Sequence, residues 1–141
     1  MDRFHYSGGF LYNRAARKLL LHHRGADAPS DPDKWDVFGG RSEDEDRGDP
    51  VATWCREMRE ELGVDLESEG VIPVCDYVNK YGRYRYVFYH AWPSLSEDFV
   101  LGEGQGYAWF TLDEALTLLD LTDMTRHDLL RFGEMLGEVP P

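Results

Sequence analysis

The most regular hydrophobic pattern in the chain lies between Asp49 and Gly63, where Val51, Cys55, Met58 and Leu62 recur at helical spacing. Its ends are marked. The Asp49 side chain is suited to accept from free N–H groups of a first turn, Pro50 loses nothing at the first helical position, and Gly63 tolerates the left-handed conformation that ends a helix. The pattern predicts a helix over about 50–62. Glu57, Glu60 and Glu61 fall together within one third of its circumference, apart from the apolar stripe.

Strand patterns surround this helix. The run from Trp35 to Glu43 reads as a strand that ends in the Gly39-Gly40 pair, expected to be a loop in which the backbone turns tightly and approaches a neighbour. Residues 71–79 and 83–92 are dense in β-branched and aromatic side chains and read as paired strands joined by a turn around Tyr81-Gly82. Trp109-Phe110 leads into a helix with Thr111 as cap and Glu114 completing a capping box. Asp123 opens a last helix to about Leu136, with Leu129, Leu130, Phe132 and Met135 available for packing. Segments 26–34 and 42–49 are polar loops, and the chain has no repeats. The tally predicts an α/β sandwich with a mixed central sheet.

The glutamate face carries the first chemical signal. Two carboxylates about 4 Å apart repel by ~4 kcal/mol at an effective dielectric constant near 20, and only Arg56 and Arg59 offset that locally. An all-oxygen face of this kind suits Mg²⁺ or Mn²⁺, which combine carboxylates with water and substrate phosphate oxygens.

The strand, the double glycine and the glutamate helix together resemble the Nudix box, the signature of the Nudix hydrolases: glycine, five residues, glutamate, seven residues, then Arg-Glu-apolar-any-Glu-Glu-any-Gly-apolar. Arg56, Glu57, Met58, Glu60, Glu61, Gly63 and Val64 match its second half. The first half departs from it. The loop is two residues too long, the position of the first glutamate falls on Gly48, and Phe38 stands where many members have proline. Glu43 occupies a place that is often acidic, and Glu45 and Asp46 are candidates for the missing carboxylate. The segments 6–11 and 18–24 resemble the opening hairpin of the family, and Glu103 to Phe110 resembles the loop before its last long strand. The similarity spans about 6–136.

This resemblance implies an α/β/α sandwich and metal-assisted hydrolysis of a diphosphate linkage. Glu57, Glu60, Glu61 and Glu103 would be the metal ligands, with Mg²⁺ or Mn²⁺ as cofactor. Glu60, Glu103 and Arg56 would act in catalysis, Arg56 orienting the glutamates, and Gly39 and Gly40 would form the loop against metal and helix. Tyr6, Phe38, Tyr81 and Asp123, with Tyr77 and Asn79, are candidates to frame a substrate pocket. The expected substrate is a nucleoside diphosphate derivative. The Glu103-Gly104-Gln105 segment leans toward an oxidised nucleoside triphosphate; a nucleotide sugar or ADP-ribose is the alternative, and Gly48 also motivates a non-catalytic nucleotide-sensing domain.

Composition narrows the picture. With 141 residues, 42% hydrophobic and 13% aromatic, the chain is expected to form one domain with a real core, as a monomer or homodimer. A net charge of −12 argues against non-specific nucleic-acid binding. No apolar run is long enough to span a membrane and no signal-peptide pattern opens the chain, so a cytoplasmic location is expected. Cys55 and Cys75 read as thiols rather than a disulfide, and His22, His23 and His90 as sheet residues.

Overall fold

A computed structural model describes residues 4–102 and 106–138. Seven strands form one sheet: β1 (His5–Asn13), β2 (Lys18–His23), β3 (Trp35–Asp36), β4 (Phe38–Arg41), β5 (Val71–Val78), β6 (Tyr84–Ala91) and β7 (Gly106–Thr111). The main path runs β3-β2-β1-β6-β5, with β4 also paired to β1 and β7 to β2. The β1–β6 pairing is parallel and the others are antiparallel, so the sheet is mixed.

The period of two along β1 assigns each layer its core. Phe10 and Tyr12 pack with Leu112, Ala115, Leu129 and Phe132 of α2 (Leu112–Leu116) and α3 (Asp123–Leu136). Leu11, on the opposite face, packs with Trp54, Met58 and Leu62 of α1 (Pro50–Leu62). Helix layers thus cover both faces. Among the described residues no helix is long and apolar enough to cross a membrane.

The helix ends follow the predicted chemistry. The Asp49 carboxylate accepts from the Val51 N–H, Gly63 adopts φ 68°, and the Thr111–Glu114 capping box forms. Both cysteines are free, and burial pushes the Cys75 thiol up to about 12.

Three expectations change. Gly39 and Gly40 lie inside β4, not in a loop, because they pair with Gly8 and Ser7 of β1. Leu130 and Met135 are 39% and 46% exposed, leaving Leu129 and Phe132 as the packing face of α3. The buried stripe of α1 is turned toward Trp54, one helical turn before Met58, while Val51 and Cys55 sit half-buried at its margin. Trp54 is fully buried and its indole N–H donates to the Phe38 carbonyl at 3.1 Å. Trp54→Ala is therefore expected to cost ~3–5 kcal/mol, read as a lowered urea midpoint at unchanged slope.

Candidate active site

Arg56 organises the polar face of α1. Its guanidinium is buried, and each edge has a partner. Nε and Nη2 donate to the two oxygens of Asp46 at 3.1 and 3.0 Å, and Nη2 also reaches the Arg41 carbonyl at 3.0 Å. Nη1 meets Glu57 Oε1 and both oxygens of Glu60 at 3.2 Å, with Glu43 at 3.1 Å. Such a rigid fork suits bidentate carboxylate recognition.

Of the two acids proposed to replace the missing loop glutamate, the structure brings Asp46 to Arg56. Glu45 stays largely exposed, with its oxygen 3.9 Å from Nε. Asp46 closes a 3₁₀ turn (Asp44–Asp46) and accepts from the Glu43 N–H and the Thr53 hydroxyl, each at 2.8 Å. Arg47 and Gly48 then take positive φ values of 53° and 74°, turning the chain into the Asp49 cap. Gly48 is thus a turn residue with open space around it. Burial works to raise the Asp46 carboxyl, but the bonds from Arg56, the Glu43 N–H and Thr53 outweigh it and hold the group below its ordinary range.

The three box glutamates face different surroundings. Glu57 is mostly buried, and burial, only partly offset by Arg56, raises its carboxyl. A Cβ on Gly40 would lie 2.2 Å from Glu57 Oε1, so the missing side chain forms a cradle for that carboxylate. Glu60 is half-exposed, whereas Glu61 is only 7% exposed. Among the described residues the three do not gather their oxygens into one cluster. The all-oxygen set fits a hard divalent cation, which takes one or two carboxylates from the protein and keeps several waters.

Two hollows flank this face. The smaller, about 610 Å³, is lined by Phe4, Arg41, Ser42, Glu43, Asp44, Glu45 and Glu57. The larger, about 1130 Å³, runs from Glu61 past Gly39, Gly40 and Arg41 to Tyr6, His22, Arg24 and the loop 25–30. The loop wall is tied down by Arg24, whose Nε donates to the Ser30 carbonyl at 2.9 Å and whose Nη1 lies 3.7 Å from Asp36. Behind Tyr6, the Arg85 guanidinium covers the ring at 4.5 Å and pairs with Asp128 at 2.7 Å.

Of the candidate pocket residues only Tyr6 lines the large cleft. Phe38 is fully buried in the α1-side core, Tyr81 is 69% exposed on the β5–β6 turn, and Asp123 opens α3 at the surface. Tyr77 is bonded to Asp128, and Asn79 caps the turn through the Tyr81 and Arg83 N–H groups. Glu103 lies outside the described residues. Sequence reasoning missed Arg24, His22 and Arg41 as lining groups, although a basic residue at the end of a strand and another directly after a double glycine were visible signals.

The NUDIX domain family model matches residues 5–131. The chain belongs to the Nudix family. No curated protein matches the sequence. Solved structures do match. The MutT Nudix hydrolase of Burkholderia pseudomallei is 26% identical, with a TM-score of 0.64 over 89% of this chain and 95% of that one. The ORF135 protein of E. coli is 22% identical, with a TM-score of 0.72 over 97% and 93%. The Nudix domain of Shewanella oneidensis NrtR, solved with ADP ribose, is 14% identical, with a TM-score of 0.75 over 96% and 90%. The helix, the double glycine and the Arg56 cluster all lie within the matched span.

The cluster makes a pH-dependent prediction. Because the Asp46 carboxyl is held below its unfolded value, the stability it lends is complete above about pH 4 and is lost as pH falls through the lower folded value. Asp46→Asn is expected to cost about 1.5–3 kcal/mol at neutral pH. In urea unfolding the gap between the two proteins narrows on acidification; a gap of constant size would refute the assignment.

Proposed function

We propose that this Nudix hydrolase cleaves a diphosphate linkage in a nucleoside diphosphate derivative with Mg²⁺ or Mn²⁺ as cofactor. The observation that carries this reading is the intact Arg56 cluster: despite Gly48, Arg56 has a buried carboxylate partner and holds Glu57 and Glu60. That favours an enzyme over a non-catalytic sensing domain. Glu57, Glu60 and Glu61 are the residues to hold the cation. When bound, it screens the phosphate charge, polarises a phosphoryl oxygen and lowers the pKa of water. Asp46 fixes the guanidinium, which fixes the direction of Glu57 and Glu60.

Glu103 is proposed as a further ligand or as the base that takes the proton from water. Support comes from the residue before it: the Gly102 N–H donates to the Glu61 carbonyl at 2.9 Å, tying the loop to the end of α1. A Cβ on Gly102 would lie 2.2 Å from the Glu60 carbonyl oxygen, so the approach needs glycine.

The large cleft beside Glu61 is the place for the nucleoside, with Tyr6, Arg24 and Arg41 as contacts. The substrate reading leans to a nucleoside triphosphate, oxidised forms included. A nucleotide sugar or ADP-ribose is the alternative, in keeping with the ADP ribose of the NrtR structure. The chain is read as one domain, cytoplasmic, as its two free thiols favour.

Phosphate release over a panel of nucleoside triphosphates, nucleotide sugars and ADP-ribose with Mg²⁺ tests the reading; no hydrolysis of any member refutes it. Glu60→Gln and Glu61→Gln are expected to remove most turnover, and Glu103→Gln to lower kcat by on the order of 10². Gly48→Glu is expected to change turnover by less than about tenfold, ~1.4 kcal/mol of barrier, because Asp46 already occupies Arg56.

A further inference from the structure

On the α3 side of the sheet, away from the glutamate helix, α3 packs across β5, the last strand of the main path. Cys75 and Tyr77 share one face of β5, and His127 and Asp128 lie on α3. The Cys75 sulfur, a ring nitrogen of His127 and a carboxylate oxygen of Asp128 all lie within 4.8 Å of one another, the one such group of three among the described residues. Asp128 is fully buried and Cys75 is 8% exposed, while the His127 side chain is 46% exposed and gives the group an opening to solvent.

The hydrogen bonding of Asp128 is uneven. Oδ2 is taken by two Arg85 N–H groups, at 2.7 and 3.1 Å. Oδ1 is faced by the Tyr77 hydroxyl at 2.7 Å, His127 Nδ1 at 3.3 Å and Cys75 Sγ at 3.8 Å. Tyr77 and the Cys75 thiol donate to this oxygen, while the role of His127 Nδ1 depends on the tautomer. Tyr77 takes the short bond and the imidazole and thiol are left with loose ones. A cation among Sγ, Nδ1 and Oδ1 would use all three as ligands. In a tetrahedral zinc site the oxygen–nitrogen and oxygen–sulfur edges are ~3.3 and ~3.5 Å, close to the spacings present here. Arg85, bound to the other oxygen, holds the carboxylate without occupying Oδ1.

We propose that Cys75, His127 and Asp128 form a second cation site, for a borderline-soft divalent cation such as Zn²⁺, that pins β5 to α3. Thiolate, imidazole and carboxylate select a different metal from the all-oxygen helix face. On binding, a sulfur–metal bond replaces the Cys75 S–H bond and the proton leaves to solvent; His127 binds as the neutral imidazole, and water completes the shell on its exposed side. The site does not depend on the hydrolase reading.

Titration of the tag-free protein with Co²⁺ tests this, because a cobalt–thiolate bond has its own near-ultraviolet charge-transfer band. The band is expected in the wild type and in Cys55→Ser, which keeps Cys75, and also in a Glu57→Gln/Glu60→Gln double variant. It is expected to vanish in Cys75→Ser. In His127→Ala, at a half-exposed position, affinity is expected to fall by at least about tenfold. Zn²⁺ should raise the melting temperature of the wild type and not that of His127→Ala. Absence of the band in the wild type, its persistence in Cys75→Ser, or equal Zn²⁺ stabilisation of His127→Ala overturns the proposal.

Discussion

The arrangement around α1 depends on burying one guanidinium. A charge with five donors is costly to take from water unless every donor is met, and Arg56 recruits groups from three stretches of chain to do so. The end of β4 supplies a carbonyl, the 3₁₀ turn supplies Asp46, and α1 itself supplies Glu57 and Glu60. The same bonds that stabilise the charge also orient two carboxylates, so the burial of Arg56 and the direction of Glu57 and Glu60 share one set of contacts. Further out the network continues: Thr53 links Asp46 to His5 of β1, with His5 Nε2 at 3.2 Å. Burial keeps His5 below its ordinary pKa despite the nearby Asp46 and Asp49.

Much of the architecture was legible because its signals are local. The cap at Asp49, the stop at Gly63 and the Thr111–Glu114 box involve residues within a few positions of one another, and the structure reproduces them. The orientation of α1 was harder. Trp54 shares the buried face with Met58 and Leu62, but a stripe anchored on Val51 and Cys55 is equally consistent with the letters. Only the sheet opposite decides, since Trp54 lies against β1, where a Cβ on Gly9 would sit 2.7 Å from its ring.

Long-range partners account for what the sequence hid. Arg85 and Asp128 are 43 residues apart and meet across a strand–helix contact that no periodicity announces. Of the two uses expected of the double glycine, the tight turn gives way to strand pairing while the close approach is kept, Gly39 toward β1 and the Tyr6 hydroxyl and Gly40 toward Glu57. Phe38, Tyr81 and Asp123 were plausible pocket residues by type alone. The fold places them in a core, on a turn and at a helix start, away from the lining of the large cleft, a separation that only topology sets.

The loop ahead of α1 bears on what a spaced motif encodes. Asp46 has a shorter side chain than glutamate and sits two places before the expected position, yet it meets both Nε and Nη2 of Arg56. The chain between β4 and α1 folds into a 3₁₀ turn and two left-handed residues, and the turn sets Asp46 beside the Arg56 guanidinium. What Arg56 meets is a carboxylate at a point in space, and distance counted along the chain is a poor guide to which residue brings it there.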